Sequence, residues 1–131
     1  MLKKVEILTS INYSFYTTVY LFDREEKIVL PADISRDLDS KQTTSGFVKN
    51  ILALLQVEIN NIQILIREDE TLFSQIILEK DNELMCIPAE LVESLEFVKN
   101  WDIPILIESS ILKKQGIKIT PELLREALEQ D

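Results

Sequence analysis

Histidine is missing from this chain altogether, and that one absence removes a large part of enzymology. Without an imidazole the chain has no Ser-His-Asp triad, no Cys-His dyad and no histidine-ligated zinc. Cysteine occurs once, at Cys86, so no internal disulfide can form and a disulfide-stapled secreted scaffold does not fit. Only two Gly and four Pro are present, which argues against disorder, collagen and low complexity. Cations are few as well: 14 Lys and Arg stand against 23 Asp and Glu, a formal charge of −9. The densest basic pairs are Lys3–Lys4 and Lys113–Lys114, and nothing gathers the footprint that nucleic-acid binding normally shows. The long-range field therefore disfavours a nucleic-acid partner, although a bound divalent cation would reverse the sign of a local groove. Long apolar runs are lacking too, since Ile51–Ile66 is interrupted by Gln56, Glu58, Asn60, Asn61 and Gln63. The expectation is a cytoplasmic protein with no membrane partner.

What is present suits one α+β domain over 1–131, because 131 residues with 46% hydrophobic content suffice for a sizeable core. Val5–Ile11, Phe15–Phe22 and Ile28–Leu30 read as strands, with Asp23–Lys27 as a charged turn. A polar stretch, Ser35–Ser45, precedes apolar residues at helical spacing from Phe47 to Leu55, where Thr44 or Ser45 is placed to cap the start. Strands follow near Ile62–Ile66, Leu72–Leu78 and Leu84–Ile87. Pro88 is expected to open a helix striped by Leu91, Leu95 and Val98. Ile105–Ile107 reads as a strand, Ser109–Gln115 as a short helix stopped by Gly116, and Thr120–Asp131 as a C-terminal helix begun by Thr120-Pro121-Glu122.

The most specific pattern is a gapless self-similarity at an offset of 57. Ser14–Leu21 lies against Thr71–Leu78, and Ile28–Ile34 against Met85–Leu91, with Pro-Ala-acid shared as Pro31-Ala32-Asp33 and Pro88-Ala89-Glu90. Each half (5–57 and 58–119) reads as three strands, a Pro-Ala-acid junction and a helix. Neither half can cover its own sheet face, so the expected fold is internally duplicated: two three-strand-plus-helix units forming one strongly curved sheet with flanking helices.

The order of these segments resembles the bifunctional nuclease (BFN) domain family. The resemblance runs through Ile28-Val29-Leu30-Pro31, Thr44–Leu55, Ile62-Gln63-Ile64, Leu72–Leu78, Pro88-Ala89-Glu90 and Ile103–Ile107, and covers about Val5 to Ile119. It implies a duplicated strand–helix architecture in an intracellular protein, with DNase and RNase activity in some relatives. Two motifs depart from the family. Ile87-Pro88-Ala89-Glu90 stands where the family has Arg-Pro-Ser-Asp, and Thr44-Ser45-Gly46 stands where it has Thr-His-Asp. The groups best suited to handling a phosphate are thereby depleted.

Several residues carry a functional reading beside a plainer one. Asp33 and Glu90 occupy equivalent places in the two halves, and as catalytic metal ligands they would suit Mg²⁺ or Mn²⁺ in a metal-dependent nuclease. As ordinary first-turn acids they would favour a helix dipole. Thr44 and Ser45 offer a phosphate site at a helix start, or ordinary capping. Glu68-Asp69-Glu70 lacks the alternating spacing of a calcium loop and reads as a solvated turn. Cys86, between Met85 and Ile87, reads as a core thiol. Tyr13, Phe15, Tyr16, Tyr20 and Phe22 concentrate aromatics in one hairpin without interleaved cations, which favours packing over base stacking.

Two functions from different classes remain open on these residues. One is a DNase or RNase of the resembled family; the other is a catalytically inactive binding or regulatory module that assembles as a homo-oligomer. The aromatic hairpin, apolar on both strand faces, points to a dimer or trimer formed through Tyr16, Tyr20 and Phe22. The depleted motifs favour the second.

Overall fold

The computed structural model of the protein describes residues 1–34, 44–120 and 122, without the side chains of 44–46 and 100. The polar stretch Ser35–Ser45 falls at 35–43 outside the described residues, as does the expected C-terminal helix apart from 120 and 122. The described chain runs β1 (Leu2–Asn12), β2 (Thr17–Asp23), β3 (Ile28–Ile34), α1 (Thr44–Leu54), β4 (Glu58–Ile66), β5 (Leu72–Lys80), β6 (Glu83–Ala89), α2 (Leu91–Trp101), β7 (Ile105–Glu108), α3 (Ser109–Gln115) and β8 (Ile117–Lys118). The fold is α+β, with one open eight-stranded sheet in the order β6-β5-β4-β7-β1-β2-β3-β8. No described helix is long and apolar enough to cross a membrane.

Two antiparallel meanders, β1-β2-β3 and β4-β5-β6, flank the short strand β7. That strand pairs parallel to β4 and antiparallel to β1. Side-chain alternation then sorts the sheet into two faces. Val5, Val19, Leu21, Leu30, Ile64, Ile105 and Ile107 point to one face and meet Leu91 and Leu95 of α2 and Ile111 and Leu112 of α3. A second cluster beside it packs Ile62, Ile76 and Leu78 against Phe97, Trp101 and Ile103. The opposite face carries Leu65, Phe73, Leu106, Tyr20 and Phe22, all half-buried.

Helix ends follow local chemistry. At the end of α1, Gln56 takes a left-handed conformation (φ 58°), while Val57 N–H donates to Leu52 O at 2.9 Å and Gln56 N–H to Ala53 O at 3.2 Å. This is a Schellman stop built without glycine. Along α1, Phe47 and Leu54 remain exposed, so the helical stripe is only partly covered.

Both prolines expected at strand-to-helix junctions lie inside strands. Pro31 sits opposite Tyr20 in β3, which continues to Ile34, and Pro88 sits opposite Gln75 in β6. Helix α2 begins only at Leu91, with Glu90 as its N-cap. Proline is tolerated in strands at an edge, where its missing N–H deprives no neighbour. β6 is the outermost strand, and β3 has beyond it only the two-residue β8.

The 57-residue offset does not run gaplessly through the meanders: Pro31 pairs with Tyr20, whereas Pro88 pairs with Gln75 and not with Ile77. Each meander has one register irregularity, in β1 between Ile7 and Thr9 and in β4 between Ile59 and Asn61. The residues opposite are Leu21–Tyr20 and Leu78–Ile77, which are 57 apart. The neighbouring loops differ in length, however. Asp23 pairs with Ile28 across 24–27, whereas Lys80 pairs with Glu83 across Asp81-Asn82 alone.

Replacing Ile107, fully buried in β7, by Ala should cost about 2–5 kcal/mol through lost transfer energy and a residual cavity. Phe15→Ala, at a position 90% exposed, should change stability by no more than about 0.5 kcal/mol. Urea unfolding followed by circular dichroism measures both.

Candidate functional site

The two acids singled out from the sequence occupy different kinds of position. Asp33 lies in β3, not at a helix start, and accepts a hydrogen bond from the Thr18 hydroxyl at 2.6 Å. Glu90 caps α2 by backbone geometry without a side-chain cap bond. Its carboxylate, 65% exposed, receives Arg67 at 3.5 Å. Five strands separate β3 from β6 in the sheet. Among the described residues, no group of three or more Cys, Asp or Glu side chains is arranged to hold a metal ion. Thr44 and Ser45 form the first turn of α1, and their side chains lie outside the described residues. Cys86 is exposed on β6 rather than buried in a core, because β6 has a neighbour on one side only.

Around Glu90 a small polar joint links sheet and helix. Ser74, fully buried in β5, donates to Ala89 O at 2.9 Å and lies 2.6 Å from the Ser94 hydroxyl of α2. The pair satisfies itself within the protein, which is what burial of two hydroxyls requires. Arg67 extends the joint outward, stacking on the Phe73 ring at 4.9 Å from its centroid and reaching Thr71 Oγ1 at 3.4 Å. The Glu68-Asp69-Glu70 segment is a turn: Asp69 accepts from the Thr71 hydroxyl at 2.6 Å and from the Thr71 N–H at 3.1 Å. These bonds hold the Asp69 carboxyl below its ordinary value near 3.8. Glu70 is tied to α3 through Lys114 Nζ at 2.6 Å. Asp69 and Glu70 are thus engaged in holding the turn and α3 together. Sequence reasoning missed Arg67, Ser74 and Ser94, which come together only through strand pairing.

A second feature lies at the middle of the sheet. β7 pairs with β1 only from Leu2 to Val5, whereas β1 continues to Asn12. Beyond Val5 the place of a central strand is taken by the α2–β7 connection, with Pro104 O accepting the Ile62 N–H at 2.9 Å. A cleft of about 740 Å³ opens there, lined by Lys4, Glu6, Thr9 and Ser10 of β1 and by Lys99 and Asp102 from the other side. The β1 irregularity borders it, and bulges often lie beside functional sites. Its size matches small-ligand clefts, and two cations, two acids and two hydroxyls suit a polar ligand of mixed charge. The only sequence signal for it was the mixed polarity of Lys4–Ser10.

A third feature is apolar surface. Leu84, Met85 and Ile87 of β6 are 65%, 45% and 48% exposed, and Tyr13 and Tyr16 stack at 4.9 Å at the tip of the β1–β2 hairpin. Of the expected aromatic contact face, Tyr16 is exposed while Tyr20 and Phe22 are half-buried; Val19 and Leu21 on the other face are fully buried in the core.

No protein-family model matches the chain, and no curated protein matches it either.

Thr71→Val should raise the Asp69 pKa toward its ordinary value, because both the hydroxyl donor and its anchoring of the turn are weakened. The sign of the linkage follows: a lowered folded-state pKa stabilises the protein above the unfolded value, and this contribution is lost as pH falls through the folded value. Carboxyl ¹³C titration of Asp69 below pH 5 measures the shift, and an unmoved titration would contradict it.

Proposed function

We propose that this chain is a BFN-like domain that acts in the cytoplasm as a homo-oligomeric binding or regulatory module and not as a nuclease. The observation that carries this reading is the exposed apolar edge strand β6. The buried contacts of α2 and α3 fall on one face, while the outer strand β6 presents Leu84, Met85 and Ile87 to solvent. Met85 and Ile87 share one face of the strand and Leu84 lies on the other, and exposed apolar surface of this kind is characteristic of interaction sites. Buried aromatic and aliphatic side chains contribute on the order of 1.5–3 kcal/mol each before ordering costs, so a few suffice for specific association.

The duplicated architecture of the resembled family belongs to this proposal. The paired irregularities opposite Leu21–Tyr20 and Leu78–Ile77 support it, and such bulges would also curve the sheet. The nuclease reading keeps one specific support, the exposed Glu90 carboxylate beside Arg67 at the end of β6. With Mg²⁺ or Mn²⁺, Glu90 would be the ligand to test. Asp33 would have to act from the far side of five intervening strands.

Assays of the purified chain on DNA and RNA, with and without Mg²⁺ or Mn²⁺, should show at most trace cleavage that Glu90→Ala leaves unchanged. Metal-dependent cleavage abolished by Glu90→Ala would overturn the binding-module reading in favour of a nuclease. Light scattering at micromolar concentration should give a mass at least twice 15.2 kDa.

A further inference from the structure

Among the described residues, β6 is an edge strand paired on one side only. Every residue from Glu83 to Pro88 is exposed, and Ala89 is half-exposed. Natural edges are usually blunted by brevity, a bulge, a proline or a charged side chain. The opposite edge obeys this rule, since β8 has two residues and one of them is Lys118. β6 has seven residues, pairs with β5 without a register shift and carries no cation; its two blunting residues, Glu83 and Pro88, lie toward its ends and leave Leu84–Ile87 between them.

The turn before β6 determines which backbone groups face outward. Asp81 and Asn82 have φ of 52° and 66°, the signature of a two-residue type I′ hairpin closed by the pair Lys80–Glu83. In such a hairpin the closing pair exchanges hydrogen bonds. Alternation then directs Glu83, Met85, Ile87 and Ala89 toward β5, and turns the N–H and C=O groups of Leu84, Cys86 and Pro88 outward. Pro88, which has no N–H, therefore falls on the outward set, where β5 loses nothing.

We infer that β6 pairs with β6 of a second copy of this chain, antiparallel about a two-fold axis at Cys86, joining two sheets into one. This deepens the homo-oligomer reading above by naming its interface. The register follows from the strand itself: only pairing centred on Cys86 engages all seven residues. It sets Cys86 opposite the partner's Cys86, Met85 opposite the partner's Ile87, Leu84 opposite the partner's Pro88 and Glu83 opposite the partner's Ala89. The strand's one charge thus meets no like charge, and apolar side chains meet on both faces. Cys86 N–H donates to the partner's Cys86 carbonyl and Leu84 N–H to the partner's Pro88 carbonyl. With their symmetry mates these make four bonds. A foreign extended peptide would fit the same bare edge, but self-pairing needs no sequence beyond this one.

The test uses the full chain in reducing buffer. The wild type should be a dimer by light scattering, and Cys86→Lys and Cys86→Glu should each associate at least tenfold more weakly, since each opposes like charges across the axis. An equimolar mixture of the two variants should regain dimer. Copper-phenanthroline oxidation of the wild type should cross-link it through Cys86, because paired strand residues lie within disulfide reach. Leu84→Lys serves as a second disrupting variant, and circular dichroism checks that each variant is folded. A monomeric wild type would overturn both this interface and the oligomer reading. A dimer unaffected by either Cys86 variant and lost in Tyr20→Glu would overturn the β6 interface alone and place association on the aromatic face.

Discussion

The structure depends on β7, a strand of four residues that holds two meanders in one sheet. Ile105 pairs with Val5 on one side and with Ile62 on the other, so three side chains from distant parts of the sequence form one row across the core. Ile105 and Ile107 are buried under α2 and α3, and the chain ends on either side of β7 are tied in as well. Pro104 O receives the Ile62 N–H, and Ser109 N–H donates to Met1 O at 2.9 Å. Without β7 each meander would expose an inner edge as well as an outer one, and unpaired backbone groups buried there would be costly.

The brevity of β7 has consequences for the site. Its neighbours β1 and β4 have 11 and 9 residues, so they outrun it at one end and leave the cleft beside Lys4, Thr9 and Ser10. Its central position also drives the two halves apart. β3 and β6, which carry the matching Pro-Ala dipeptides, become nearly the two extremes of the sheet. A pair of acids that looks equivalent in sequence is thereby distributed to opposite sides of the molecule, and each finds a local partner, Thr18 for Asp33 and Arg67 for Glu90.

The surface features follow from the same layout. Among the described residues, α2 and α3 pack on one face of the sheet, and the outermost long strand has one neighbour. Burial is concentrated under α2 and α3, while the cleft and the β6 edge stay accessible among the described residues. Lys113, Lys114 and Lys118 lie near the β8 edge rather than along β6, whose one charge is Glu83.

Much of this was legible from residue order. Alternating apolar residues marked the strands, Asp23–Lys27 marked a turn, and the stripe Leu91, Leu95 and Val98 marked α2, because periodicity reports directly on half-burial. Composition determined as much by exclusion, since no fold can supply an imidazole or a second thiol that the chain lacks. The positions of Pro31, Pro88 and Cys86 were decided only in three dimensions. Proline fits a helix start and an edge strand equally well, and an apolar strand bearing a cysteine reads the same whether it has one neighbour or two. Which strands become neighbours depends on pairings such as Lys3 with Ile107, more than a hundred residues apart. Local pattern carries no record of such pairings, because their free energy appears only when both strands share the same core.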